Sequence, residues 1–193
     1  LRLLVTEGWG LGFIREWAVF PPNGGNGYPF GTGVTLNMAK DGLAVAGTNV
    51  SGKYPRLTTD GYLGTSWVSG SSGPHTLEVT LRDEINIGSV HLYSGGGTVG
   101  SAISNISLEY SDDLGATWQP VPGGVISGNT STERVIPFSS AVHADMVRMT
   151  TSDAGAVEVR ELVVFPDNGT GGYPVYTDLD LYSPKCATIQ KYK

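Results

Sequence analysis

The chain has 193 residues, of which 39% are hydrophobic, and a formal net charge of −6. That length holds one ordinary domain with flanks, and the apolar content supports a packed core rather than disorder. No basic cluster stands anywhere in the sequence, so nucleic acid and an anionic membrane surface, which both need concentrated Lys and Arg, are not expected partners. No apolar run approaches the length of a membrane-spanning helix, so insertion is not expected either. The single Cys186 cannot form an internal disulfide, which rules out a disulfide scaffold. The 28 glycines and 11 prolines are spread among short alternating runs, the pattern of a turn-rich all-β sandwich.

In chain order, the first element is one that returns later. Phe13 to Pro29 reads FIREWAVFPPNGGNGYP, and Glu158 to Pro174 reads EVRELVVFPDNGTGGYP. Arg15/Arg160, Glu16/Glu161, Phe20/Phe165, Asn23/Asn168 and Tyr28/Tyr173 keep a constant offset of 145 residues (165 minus 20). A period that long points to whole domains in tandem rather than a solenoid. Residues 1–33 are therefore read as the terminal strands of a preceding repeat plus a Gly/Pro/Asn linker. Residues 34–166 form one complete copy, and 167–193 the linker and opening of a following repeat. Leu1 to Phe20 is expected to dock on a sheet edge or to pair between molecules. Neighbouring repeats of the same chain are thus expected partners.

Within the complete copy, Leu57 to Trp67 reads as a loop. His75 to Leu81 alternates polar and apolar residues, a strand with one wet face. Ile85 to Tyr93 is a second strand, followed by a Gly-rich loop over Ser94 to Gly100. Ile106 to Ser111 and Thr117 to Val121 flank an Asp112-Asp113-Leu114-Gly115 turn as a hairpin. Arg134 to Phe138, Met146 to Thr151 and Val157 to Phe165 complete the strands. No amphipathic helix longer than about two turns is visible.

Several of these runs resemble motifs of the discoidin family, also called coagulation-factor type C domains. LTTDGYLGTSW (Leu57 to Trp67) is similar to the family's "DG…T-x-W" loop. SDDLGATW (Ser111 to Trp118) is similar to its "S-D-D-G-x-x-W" hairpin with Leu114 inserted. Val147 to Met149 and Arg160 to Val164 resemble its closing strands. The resemblance covers roughly Leu36 to Phe165 and implies a jelly-roll-like β-sandwich of the galactose-binding kind. It further implies a carbohydrate-binding module of a secreted or cell-surface bacterial protein, with a polysaccharide or oligosaccharide as partner. The chain departs from the animal type in lacking its terminal Cys pair. The loop Ser94 to Ser104 also lacks the Arg or Asn that often grips a sugar, so the resemblance leaves the sugar open.

The resemblance also implies a structural calcium ion. Its side-chain ligands would be Asp60, Thr65 and Glu161, with backbone oxygens from Leu57, Tyr62 and Arg160. Calcium wants six to eight oxygens in a flexible cage, and such a set stitches the last strand to a distant loop. The alternative is that Asp60 caps a turn and Glu161 is a solvated or hydrogen-bonded strand residue. Glu16 would be the corresponding ligand of the preceding repeat.

Sugar binding needs an aromatic face and nearby hydrogen-bonding groups. In this fold the ligand loops lie at one end, here Gly47 to Pro55, Ser69 to Pro74, Tyr93 to Ser104 and Thr151 to Ala156. The candidates on them are Lys53, Tyr54, Tyr93 and Asp153. Tyr54 reads equally as a loop tyrosine packed on Pro55, and Tyr93 as a half-buried strand-end aromatic. Trp67 and Trp118 are expected in the core; Trp9 belongs to a ligand loop of the preceding repeat.

No catalytic constellation is visible. His75, His91 and His143 have no ligand spacing, and Cys186 has no His partner. Asp83-Glu84 and Asp112-Asp113 read as solvated turn residues rather than an acid/base pair. The sequons at Asn49, Asn105, Asn129 and Asn168 carry little information in a Ser/Thr-rich chain. The chain is therefore expected to be a non-catalytic carbohydrate-binding module. The rival is a structural spacer or protein-docking module that keeps the fold and has no sugar site.

Overall fold

Alternation along His75 to Leu81 becomes the first half of a strand whose odd-numbered residues are buried and even-numbered ones half-exposed. The computed structural model describes residues 37–70 and 72–167. The readings on 1–36 and 168–193, including Trp9, Glu16, Cys186 and both partial repeats, lie outside those residues. The elements are β1 (Ala44–Ala46), a 3-10 turn (Pro55–Thr58), β2 (Trp67–Val68), β3 (His75–Ser94), β4 (Ile106–Ser111), β5 (Gln119–Ile126), β6 (Glu133–Thr151) and β7 (Glu158–Pro166). All pairings are antiparallel, in the order β2-β7-β3-β6-β4-β5 with β1 also on β3.

The strands expected at 75–81 and 85–93 are one element, as are those at 134–138 and 146–151. β3 and β6 pair along almost their whole length, from His75↔Thr151 to Tyr93↔Glu133. Irregularities between Thr80 and Ile85 and between Ile87 and Ser89 carry the ladder through a bend. A bulge inserts residues without ending the pairing, and it sharpens the local twist. Arg82-Asp83-Glu84 therefore reads as a turn in sequence yet lies inside a strand, which corrects the turn assignment of Asp83 and Glu84. The bend turns one hydrogen-bonded sheet into two facing layers. One holds β1, the first half of β3, the second half of β6, β4 and β5. The other holds β2, β7 and the remaining halves of β3 and β6.

Between the layers lies one apolar cluster that includes Trp67, Leu77, Val79, Val90, Leu92, Leu108, Ile136, Val147, Met149, Leu162 and Val164. Each such side chain contributes about 1.5–3 kcal/mol by leaving water. Trp67 is fully buried, and its indole N–H donates to the Thr48 carbonyl at 2.9 Å, so its polar atom is satisfied. Trp118 differs from the core position expected for it. It is only partly buried, with the Arg148 guanidinium 4.2 Å from its ring centroid. Arg148 is held by Glu109 at 2.8 Å and Glu78 at 3.7 Å. Those charged residues are register partners on the outward face, and the tryptophan joins them.

The β4–β5 turn uses Leu114 and Gly115 in the left-handed region, at φ 57° and 84°, where the absence of a Cβ favours glycine at the second position. Asp113 is not merely solvated. Its carboxylate accepts from the Thr117 amide and hydroxyl and from the Ser111 hydroxyl, at 2.7–2.8 Å. These bonds, Thr117's first, hold the Asp113 carboxyl below its ordinary 3.8. A carboxyl lowered in the folded state stabilises above its unfolded pKa, and that contribution is lost as pH falls through the folded value. Asp113→Ala is therefore expected to lower Tm by a few degrees at pH 7. The gap from the parent should close below about pH 4 in a pH series of thermal melts.

Candidate functional site

The bend in β3 and β6 brings both ends of each strand to the same end of the sandwich, with the intervening loops gathered there. Hydrogen bonds stitch those loops together. The Val50 and Ser69 amides donate to the Val68 and Val157 carbonyls, both at 2.9 Å. The Gly70 amide donates to the Thr48 hydroxyl at 3.0 Å, and the His75 ring Nε2 lies 2.8 Å from the Gly155 carbonyl. Asn129 donates from its side chain to the Ile103 carbonyl at 2.8 Å. All four loops expected to carry a ligand thus belong to one surface.

The four candidate ligand residues separate into two pairs. Tyr54 is 36% exposed, and the Arg56 guanidinium stands 4.6 Å from its ring centroid, where contact with Pro55 was the alternative. Lys53 is half-buried and donates to the Ser66 hydroxyl at 3.1 Å. Both remain available to a ligand. Asp153 is turned inward: its carboxylate accepts from the Ser104 amide at 2.6 Å, and from the amide and side chain of Asn105 at 3.1 and 2.9 Å. Tyr93 is buried on the outer face of its layer, stacked on His91 at 4.5 Å and clustered with Val163, Phe165 and Leu63. Burial first, then the nearby Glu133 carboxylate, pushes its phenol up to about 12. Its position is that of the strand-end aromatic.

A buried carboxylate organises the Gly-rich loop, and sequence reasoning passed over it. Glu158, 1% exposed, accepts from the Gly97 and Val99 amides at 3.1 and 2.9 Å. A Cβ at Gly97 would lie 2.6 Å from a Glu158 carboxylate oxygen, so a side chain there would push the carboxylate from its present place. One signal for Glu158 was available. The echo of β7 has Phe13 at the matching position, so the strand itself does not require an acid.

A second group forms on the other side of β7. Asp60 accepts from the Tyr62 amide at 2.9 Å, and the Thr65 hydroxyl lies 2.7 Å from Asp60 Oδ2 and 2.9 Å from the Tyr62 carbonyl. Glu161, fully buried, accepts from the Gly61 amide through Oε1 at 3.1 Å. Its Oε2 is buried without a hydrogen-bond partner among the described residues. Burial, then the neighbouring Asp60, pushes the Glu161 carboxyl up to about 9. Asp60 is raised by burial as well, against the Thr65 and Tyr62 hydrogen bonds. Leu57 lies in the adjoining 3-10 turn and Arg160 directly precedes Glu161. An orphaned carboxylate oxygen beside a second carboxyl, a hydroxyl and a carbonyl is a donor set that suits a hard cation.

The fold is a two-layer antiparallel β-sandwich with its loops gathered at one end. The chain belongs to the F5/8 type C domain family, whose pattern matches residues 44–162. Among similar solved structures is chitosan-binding module 1 of a Paenibacillus sp. IK-5 chitosanase/glucanase. It is 21% identical, with a TM-score of 0.58 over 66% of this chain and 97% of that one. Another is the family 32 carbohydrate-binding module of Clostridium perfringens NanJ in complex with galactose. It is 18% identical, with a TM-score of 0.58 over 68% and 99%. A third is the C. perfringens module CpGH89CBM32-5 with GalNAc-β-1,3-galactose, 18% identical with a TM-score of 0.59 over 68% and 99%. The comparison with curated proteins found no match.

Removing the Glu158 carboxylate leaves two amides without their acceptor, at about 1–3 kcal/mol each where they stay buried. Glu158→Ala is expected to speed hydrogen exchange at Gly97 and Val99 by about tenfold or more, with the β4–β5 hairpin unchanged. Exchange followed by NMR checks this.

Proposed function

We propose that this domain is a non-catalytic carbohydrate-binding module of a larger secreted protein, taking a polysaccharide on the loop end of the sandwich. The observation that carries the reading is the pair Lys53 and Tyr54. They present an ammonium and an exposed aromatic on a surface whose loops are held by buried hydrogen bonds. A pyranose stacks its C–H face on such a ring while its hydroxyls take the adjacent donor. The names of the neighbouring structures, which bind galactose, GalNAc-β-1,3-galactose or chitosan, support the class of ligand. No helix among the described residues is long and apolar enough to cross a membrane. Modest affinity per module would be raised by linking copies in tandem.

A structural calcium ion belongs to the same proposal. Asp60, Thr65 and Glu161 would hold it through side-chain oxygens, and Leu57, Tyr62 and Arg160 through carbonyls. The cation supplies the positive charge that lets a buried carboxylate ionise. Calcium at about a hundredfold over its Kd should stabilise the fold by about 2–3 kcal/mol. Calorimetric melts in calcium and in EDTA check this, and Glu161→Gln should remove the difference. Equal melting temperatures in both would overturn the site.

The spacer reading is favoured by a specific observation. Two of the four candidate ligand residues, Tyr93 and Asp153, are engaged inside the structure. A glycan-array and polysaccharide-retention screen in calcium separates the two. The binding reading expects a clear hit that Tyr54→Ala weakens about tenfold or more without lowering Tm. Silence across neutral and charged glycans would leave the spacer.

A further inference from the structure

The two ends of the sandwich differ sharply in charge. At the bend, Asp83, Glu84, Asp112, Asp113 and Asp145 surround a hollow with Arg82. At the loop end the free charges are positive. Lys53, Arg56 and Arg160 make no ion pair among the described residues, although the chain as a whole is acidic.

Arg160 is placed there by the backbone. β7 pairs with β3 at Tyr93↔Glu161 and then at Ser94↔Val159, so Arg160 is the extra residue of a bulge. Bulges re-aim a side chain out of the alternating pattern. The Arg160 guanidinium comes within 3.7 Å of where a Cβ at Gly96 would stand, and its Nε is buried without a hydrogen-bond partner among the described residues. A guanidinium with an unsatisfied N–H is costly unless an anion or acceptor completes it.

Lys53 comes to the same place by a second route. β2 pairs with β7 at Trp67↔Val159 and Val68↔Glu158, and Ser66 and Arg160 are the chain neighbours of the Trp67↔Val159 pair. The Lys53 ammonium lies on that serine's hydroxyl at 3.1 Å. Arg56 is on Tyr54, one residue along from Lys53. The carboxylates near this surface are engaged elsewhere. Glu158 and Asp153 are taken up by backbone amides. Glu133, 61% exposed, is 3.1 Å from the His91 ring and bonded by the Tyr93 hydroxyl. Glu161 and Asp60 belong to the proposed cation pocket.

We propose that the glycan taken by this module is anionic, with a uronate carboxylate or a sulfate ester held by Lys53, Arg56 and Arg160 beside the Tyr54 ring. The inference rests on the carbohydrate-binding reading and adds the ligand's charge. Guanidinium groups pair with planar or tetrahedral oxyanions through two parallel N–H donors, while an amino sugar such as chitosan would meet like charge.

The test compares four probes in calcium: polygalacturonate, a sulfated galactan, neutral galactan and chitosan, by affinity electrophoresis and calorimetry. Retention by polygalacturonate or by the sulfated galactan is expected to be about tenfold or more tighter than by neutral galactan. Whichever probe is retained identifies the oxyanion. The preference should shrink as salt rises from about 0.05 to 0.5 M. It should also be lost in Arg160→Gln and Lys53→Met, each checked for an unchanged melt. Arg56→Gln, on an exposed side chain, tests the same point if either of those lowers Tm. Equal or tighter binding of neutral galactan or chitosan would overturn the charge proposal and leave the carbohydrate-binding reading standing. Retention of none of the four would overturn both.

Discussion

The pairing of β3 with β6 is the constraint on which the rest of this molecule depends. The two strands run together from His75↔Thr151 to Tyr93↔Glu133 and pass through the bend as a pair. Because the bend is shared, both layers are built from the same two strands, and the core closes between their halves. The same geometry sets the two ends of the sandwich apart. Among the described residues the bend lies with the short β4–β5 turn, while the loops at 47–54, 95–105, 127–132 and 152–157 gather at the other end. The gathering of those loops is thus a by-product of how one strand pair folds over.

β7 then joins the loop end to that frame through acids on successive turns of its pleat. Glu158 takes two amides of the Gly-rich loop, and Glu161 reaches the loop that holds Asp60 and Thr65. Burying a carboxyl is unfavourable unless it is hydrogen-bonded, protonated or paired. Glu158 meets the condition with backbone N–H groups. Glu161 meets it only in part, since one of its oxygens lacks a partner among the described residues. Burial accordingly pushes the Glu161 carboxyl up to about 9.

Charge is segregated along the long axis of the sandwich in a way that net charge conceals. Carboxylates crowd the bend, where the bent strand pair meets the β4–β5 turn and solvent can hydrate them. Among the described residues, Lys53, Arg56 and Arg160, which make no ion pair, lie on the loop side. The Gly-rich loop acquires its meaning in this setting. Its lack of side chains admits the Glu158 carboxylate to the backbone at Gly97, with the Arg160 guanidinium beside Gly96.

Alternation along His75 to Leu81, the Asp112 to Gly115 turn and the motif spacing were enough to determine an all-β sandwich of this family, because period and turn chemistry are local properties. The grouping of Asp60, Thr65 and Glu161 was legible for the same reason, through motif positions. Tertiary structure decided the rest. Whether Arg82-Asp83-Glu84 ends a strand depends on hydrogen bonds to a partner sixty residues away in sequence, and those bonds carry the ladder through. Trp118 lies outside the core because Arg148, Glu109 and Glu78 share its outward face. Asp153 reads as a ligand group beside its loop, yet folding places backbone amides against it, and of the two readings open for Tyr93 folding selects the strand-end aromatic. Arg160 reads as an ordinary strand residue until a bulge turns it toward the Gly-rich loop. A side chain's type is written in the chain, but its direction and its partners exist only once distant strands have met.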